Sequence, residues 1–476
     1  MKRKYNLKRK YNLKLGVVGT RRDIFSKEDA LKYNALILSR LEEMGIDFAD
    51  IMDLNEEGLL FDEKDVDTIV DHLKKEKVDA LFFPHCNFGT EDLVAKVAKE
   101  IGKPVLLWGP RDEAPLENGA RLRDSQCGLF ATGKILRRFQ VPFSYMNMCR
   151  LDDPYFAWRL DNFLRAAQVV KELDGMTILQ IGTRPAGFWT VMINEGELIE
   201  KFNVRVHPVS LPELKEEMER VGEQEIGDTI ATIRKTMEID VSIEAIRQTA
   251  ALKCAMKRLM DRFGCKAAAI QCWNALQGHI GLFPCVANAL LNDEGYPVVC
   301  ETDVHGAITS LLVQAAARGE HVPFFADWTV PHPTNENGEL LQHCGPWPVS
   351  LMKEKPRFGA PFAFNYSHPG ALHGEIRGGD MSIVRFDGDN GEYRLLMGHA
   401  KGIDGPKNQG TYVWIEVENL RKLEAKIVEG PYIHHCVGVH ADVLPVLHEA
   451  LRFIPGLTSD YYDTDNDTMD AVLRGE

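Results

Sequence analysis

The sequence predicts an α/β protein: two similar α/β lobes, each a parallel sheet covered by helices, followed by a β-rich C-terminal domain. Three observations carry this expectation. Short apolar runs alternate with charged, helix-like stretches along the first two thirds of the chain. The pattern LGVVGTR at 15–21 returns as TILQIGTR at 177–184. After about residue 325 helical periodicity fades and strand-like alternation takes over.

The elements follow in order. Residues 2–7 and 8–13 both read KRKYNL, and residues 1–14 are set aside as a disordered basic tail. The first lobe spans 15–172. LGVVG is a short strand ending in Gly, Ser26 to Met44 has helical spacing, and DALFFPHC (79–86) and PVLLWG (104–109) are further strands. Such alternation implies a parallel sheet covered on both faces. The second lobe spans 173–325, with TILQIGTR, a charged helical region at 212–262, and the strands AAAIQCW (267–273) and PVVCETD (297–303). The third domain spans 326–476. FDGDNGEYRLLMGHA (386–400) reads as a hairpin, SIVRF and TYVWIEVENL as strands, and ADVLPVLHEALRF (441–453) as a helix. The acidic stretch DYYDTDNDTMD (460–470) reads as an exposed tail.

Composition narrows the function. Of 476 residues, 45% are hydrophobic and 26% charged, an ordinary globular balance, and the net charge is −14. That charge opposes binding to nucleic acid or an anionic membrane. No apolar run is long enough to span a bilayer. The ten cysteines form no C-x-x-C pair and read as reduced, buried thiols. The expected location is the cytoplasm.

Four residues stand where α/β sheets place ligands, at or beyond strand ends. Glu301 follows PVVC and precedes a helix-like run, with Asp303 and His305 close behind. Asp327 ends VPFFAD, His343 lies in LLQHCGPWP, and His435 lies in PYIHHCVGVH. Two carboxylates and two imidazoles suit Mn²⁺, with Mg²⁺, Co²⁺ or Fe²⁺ as competitors. A Cys₂His₂ zinc site from His343-Cys344 and His435-Cys436 fits no common spacing. Each residue also has a bland reading: a carboxylate at a strand-to-helix junction is often an N-cap, and a strand histidine is often a hydrogen-bonded core residue. Spacing alone does not bring the four together.

These segments resemble the L-fucose isomerase and L-arabinose isomerase superfamily. ETDVHGA (301–307) and FFADW (324–328) resemble its two metal-binding carboxylate segments. LLQHCG (340–345) resembles the histidine segment of the arabinose branch, and IHHCVGVHADV (433–443) the C-terminal histidine segment of both branches. The resemblance covers roughly residues 15–455. It implies two Rossmann-like lobes and a barrel-like domain, assembled as a homo-oligomer, a trimer or hexamer. It makes Glu301, Asp327 and His435 metal ligands and His343 a fourth in the arabinose-like pattern. It makes Arg21, in VGTRRD, a substrate contact reached across a subunit boundary, and Gln271, in IQCW, another.

The implied reaction is aldose–ketose interconversion of an unphosphorylated sugar through an ene-diol, with Glu301 and Asp327 as the acid/base pair. Asp303 is expected to orient a ligand from behind. L-fucose-like and L-arabinose-like sugars are the first expectation and a sulfonated hexose the second. The rival from another class is a non-catalytic, two-lobed sugar-binding protein. A hydrolase or aldolase of sugar phosphates is disfavoured, because no G-x-x-x-x-G-K-[ST] or G-x-G-x-x-G cradle is present.

Overall fold

The computed structural model describes residues 12–361 and 368–476. Most of the KRKYNL repeat, and with it most of the expected basic tail, lies outside the described residues. Leu13 is buried, and the Lys14 backbone N–H donates to Asp79 at 2.9 Å, so the chain is anchored close to its first described residue. The chain divides into two compact units. One comprises residues 1–171 with 445–455 and 467–476, and the other comprises 172–444 with 456–466.

In the first unit, strands β1 (Leu15–Val17), β2 (Phe48–Ala49), β3 (Ala80–Pro84), β4 (Val105–Trp108) and β5 (Phe143–Tyr145) form a parallel sheet ordered β2-β1-β3-β4-β5. Its central strands are apolar on both faces because helices cover both sides; Leu81, Phe82 and Phe83 are all fully buried. The order reverses between β1 and β3, as in doubly wound sheets.

The second unit begins with β6 (Thr177–Ile181) and β7 (Arg205–Val209). After them come β8 (Glu238–Ile239), β9 (Ala267–Ile270) and β10 (Val298–Val299). Four of these make a second parallel sheet, ordered β10-β9-β6-β7. The expected helical region resolves into Leu211–Glu219, Glu223–Thr236 and Ile243–Phe263. The break at β8 had no signal in the sequence: this two-residue strand leaves the α/β lobe to pair with the last sheet.

That sheet is the barrel. Its strands are β11 (Phe324–Pro331), β12 (Gly338–His343), β13 (Arg357–Gly359), β14 (Ala371–Glu375), β15 (Asp380–Asp389), β16 (Glu392–Ile403), β17 (Thr411–Glu416), β18 (His435–Val439) and β19 (Leu457–Tyr461). The ring β16-β15-β18-β11-β12-β17 closes when β17 pairs back with β16, and every step of it is antiparallel. Closure removes the exposed edges of the ring strands. The expected hairpin is β15–β16, turned at Asn390 and Gly391, both at positive φ as a type I′ turn requires.

The expected exposed tail at 460–470 is corrected by the structure. Tyr461 ends β19, and Tyr462 is buried with its hydroxyl donating to the His399 carbonyl at 3.0 Å. Its ring lies where a side chain at residue 398 would be, which is why Gly398 stands there. The acidic residues on either side, Asp460 and Asp463, mask two aromatic anchors.

Candidate active site

The carboxyl edge of the second sheet supplies the first group. After β10 the chain turns sharply, and Glu301 and Thr302 both take positive φ, +55° and +53°. Such backbone costs about 1–3 kcal/mol per residue in non-glycine positions and clusters at functional sites. The turn aims the Glu301 carboxylate into the protein. Its Oε1 accepts the Trp273 indole N–H at 3.1 Å and the Cys272 thiol at 3.3 Å. Asp303 then caps the helix Val304–Ala316, its Oδ1 accepting the Gly306 N–H at 3.0 Å. The capping role is thus real for Asp303, and Glu301 is free of it.

The barrel supplies the other three. Antiparallel register sets Asp327 of β11 directly opposite His435 of β18. On its other side Asp327 faces Gln342 of β12, and His343 is the next residue and the end of that strand. His343 Nε2 lies 3.5 Å from Glu301 Oε2 and 3.8 Å from Asp327 Oδ1. His435 Nε2 lies 3.8 Å from Glu301 Oε2 and 3.5 Å from Asp327 Oδ1. The four residues named from the sequence therefore converge on one point. Glu301 Oε2, Asp327 Oδ1 and His343 Nε2 are buried there with no hydrogen-bond partner among the described residues. Unpaired buried polar atoms are costly. Three around one point, with a fourth nitrogen beside them, fit a bound cation with oxygen and imidazole donors.

The electrostatics agree. Burial works to raise the Glu301 carboxyl, but the imidazoles of His343 and His435 and the Cys272 hydrogen bond outweigh it and hold it down at about 2. Burial works to lower His343, and the Asp327 and Glu301 carboxylates reverse that and push it well up. The pocket demands positive charge beside its two carboxylates.

The two imidazoles are supported differently. His435 Nδ1 donates to Asp303 Oδ2 at 2.9 Å, which leaves the Nε2 lone pair facing the convergence point. Asp303 is held in turn by Arg385 of β15, whose Nη2 donates at 3.1 Å and whose Nη1 also binds it. Arg385 Nε donates to Asp387 at 2.9 Å, and Asp387 accepts from His305 Nδ1 at 2.9 Å. All five side chains are buried. Burial works to raise Asp303, and Arg385 and His435 hold its carboxyl far below the usual range instead. His343 has the opposite polarity: its Nδ1 accepts the Cys344 backbone N–H at 2.9 Å.

A second donor group, Cys272, Cys300 and Glu301, lies beside the first. Burial raises the Cys272 thiol, and the Cys272 hydrogen bond with burial raises Cys300, so both sulfurs are neutral packing groups. Cys436 cannot join a zinc set with His435. Successive strand residues face opposite ways, and Cys436 packs in the barrel core with Phe324 and Leu341.

A family model for fucose/sulfoquinovose isomerase, N-terminal domain, matches residues 16–174, and one for L-arabinose isomerase, central domain, matches residues 189–319. This chain belongs to the fucose/arabinose isomerase superfamily. A sulfoquinovose isomerase of Priestia aryabhattai is 26% identical over 390 residues, covering 81% of this chain and 86% of that one. One of Alkalicoccus urumqiensis is 26% identical over 384 residues, covering 79% and 84%. One of Clostridium sp. (strain MSTE9) is 24% identical over 383 residues, covering 78% and 84%. A periplasmic solute-binding protein from Actinobacillus succinogenes 130z with bound D-allose matches at TM-score 0.16 and 12% identity, covering 64% and 92%, a likeness too faint to carry an argument.

Within this superfamily member, the remaining two expected residues lie apart in role. Gln271 follows β9, and its Oε1 accepts the Thr183 N–H at 3.0 Å, so the amide is fixed across the β6 turn. Arg21 lies in the first unit, buried, with Nε and Nη2 on Glu57 and Nη1 on Asp23. Several site residues escaped the sequence reading. Trp273 holds Glu301. Phe188 packs its ring against Trp273, His434 and His435, with centroids 5.9, 5.5 and 5.8 Å away. Arg385 and Asp387 back the histidine. The one available signal was an arginine inside the apolar run SIVRF. Among the described residues, no helix is long and apolar enough to cross a membrane.

Proposed function

We propose that this isomerase is a divalent-metal-dependent aldose–ketose isomerase whose substrate is a sulfonated hexose, with L-fucose-like and L-arabinose-like sugars as the neutral alternatives. The observation that supports the metal reading is the convergence of two unpartnered buried carboxylate oxygens, from Glu301 and Asp327, on the His435 nitrogen, with His343 Nε2 beside them. The observation that favours the sulfonated sugar is that relatives covering four fifths of the chain are named sulfoquinovose isomerases.

Glu301, Asp327 and His435 would hold the ion, Mn²⁺ in first place with Mg²⁺, Co²⁺ or Fe²⁺ as competitors. When bound, a divalent cation supplies Lewis-acid stabilisation of the negative charge that develops on the sugar oxygens. His343 is the fourth donor only if its ring releases the Cys344 N–H. With Nδ1 accepting that bond, His343 carries a hydrogen on Nε2 and faces the carboxylates as a donor. Glu301 and Asp327 are the pair that moves the proton between C1 and C2 and the proton between the two hydroxyl oxygens. Glu301 is ionised and enclosed, while the Asp327 side chain is 28% exposed and reaches toward the open side. Gln271 has an amide nitrogen with no acceptor among the described residues and would hold a sugar hydroxyl. Arg21 would contact a sugar only through N–H groups not already given to Glu57 and Asp23. The working assembly is a homo-oligomer.

The test is proton exchange. Protein stripped with EDTA and reloaded with Mn²⁺ is incubated in D₂O with sulfoquinovose, L-fucose, L-arabinose and D-arabinose. Deuterium at C1 or C2, read by NMR, is expected with Mn²⁺ and absent in EDTA. Saturable binding of a sugar with no exchange for any of them would favour the binding-protein reading and end this one.

A further inference from the structure

A sulfonated sugar is a permanent anion, and the protein carries a net charge of −14. Long-range electrostatics therefore oppose its approach, and a local cation must supply the recognition. Around the convergence point the cations are mostly spent. Arg385 is buried between Asp303 and Asp387. His343 and His435 face Glu301 and Asp327.

Arg184 is different. It lies in the turn after β6, between two residues that touch the site. Thr183, just before it, donates to Gln271. Phe188, just after it, packs on Trp273, His434 and His435. The side chain is half-buried, and no carboxylate pairs with it among the described residues. Nη1 donates to the Ala186 carbonyl at 3.0 Å and to the Pro185 carbonyl at 3.4 Å, which pins one arm of the guanidinium to its own loop. Nε and Nη2 have no acceptor among the described residues. Those two are one bidentate edge of a guanidinium, the geometry that takes two oxygens of a planar or tetrahedral oxyanion.

We propose that Arg184 is the specificity residue that binds the anionic substituent of the sugar, a sulfonate, while the C1–C2 end sits between Glu301 and Asp327. This inference rests on the isomerase reading above and adds to it a site for the charge. The pinned Nη1 orients the fork in advance, so little side-chain freedom is lost on binding.

The experiment is steady-state isomerisation of sulfoquinovose by the Mn²⁺-loaded full chain, comparing wild type with Arg184→Gln and Arg184→Lys. Losing a charge-assisted, bidentate contact should raise KM about 10- to 100-fold with a smaller change in kcat. Lysine, which keeps the charge without the fork, should recover part of the loss. Where the neutral 6-deoxy analogue is also turned over, the preference for the sulfonated sugar should fall by the same factor. Arg184 makes no ion pair among the described residues, so the variants should keep the wild-type Tm. A KM for sulfoquinovose within threefold of wild type in Arg184→Gln overturns the proposal. So does a wild-type enzyme that isomerises only neutral sugars, an outcome that leaves the isomerase reading standing. Exchange with no sugar at all overturns both.

Discussion

The chain makes the same turn twice. LGVVGTR and TILQIGTR each end a parallel strand in Gly-Thr-Arg, yet the two sheet edges are finished in opposite ways. At the first, Arg21 is closed into Glu57 and Asp23 and lies 3.8 Å over the Phe61 ring. Thr20 donates to the Leu60 carbonyl at 2.9 Å and accepts from the Thr90 N–H at 3.0 Å. Asn87 accepts the N–H groups of Arg22 and Gly89. His85 and Trp108 are exceptions, each with a ring nitrogen that has no partner among the described residues; the His85 Nδ1 donates to the Phe88 carbonyl, and burial lowers its imidazole to about 4, so it sits there neutral. At the second edge acceptors and donors are left open among the described residues: Glu301 Oε2, the Gln271 amide nitrogen, two nitrogens of Arg184. Polar groups that answer one another hold a fold together, and polar groups left unanswered around one point mark where a ligand belongs.

The largest expected effect breaks the second edge. Glu301→Gln and Asp327→Asn keep shape and remove charge, so each should cut isomerisation about 10³-fold or more while leaving Tm within a few degrees, as loss of an acid/base carboxylate implies. Near-normal turnover by either variant with Mn²⁺ bound would mean that the open edge is not the reaction site.

How much of this was legible in advance follows the same division. The strands and the chemical identity of the four converging residues could be read, because apolar runs and donor types are local. Their meeting point could not, since it depends on the register that sets Asp327 against His435 and on barrel closure through β16–β17. Arg385 was hidden because a buried arginine in SIVRF looks like a solvent-facing strand residue until Asp303 and Asp387 are placed around it. Arg21 and Arg184 look alike in sequence because Glu57, 36 residues along the chain, decides their difference. Tyr462 was masked by the acidic residues beside it.

A smaller effect tests the first edge. Arg21→Gln leaves the buried Glu57 with Lys27 alone. A loss of about 2 kcal/mol from the first unit is expected at pH 7, between the values for exposed and fully buried pairs, read as a lower urea midpoint. The pH dependence has a definite sign. Burial works to raise the Glu57 carboxyl, and its bonds to Arg21 and Lys27 lower it below the usual 4.5. The stabilisation is therefore fully present above pH 4.5 and fades as pH falls through the lower folded value, so wild type and variant should converge in acid. A rise in KM on top of the stability loss would add a sugar contact to Arg21. Unchanged stability would show that the first edge is not held by this pair.

The smallest effect lies behind the second edge, at Asp303, where capping and ligand support are carried by one side chain. Asn is nearly as good an N-cap as Asp, so Asp303→Asn should keep the Gly306 bond and the helix Val304–Ala316. Its single oxygen then stays on Gly306, and the His435 Nδ1–H loses the acceptor that Asp303 Oδ2 gives it. It also removes the negative charge that makes His435 a stronger donor and neutralises Arg385. Loss of such a supporting carboxylate typically costs about 10- to 100-fold in metal affinity, and a loss in that range is expected. The measurement is Mn²⁺ titration of the stripped protein by calorimetry, beside circular dichroism to show the helix intact. An unchanged affinity would reduce Asp303 to a helix cap and leave the metal reading to the four converging residues alone. A loss with the fold preserved would extend the open edge inward, through His435 and Asp303 to Arg385, and show that the site's support is built from the same unequal pairing that separates the two turns.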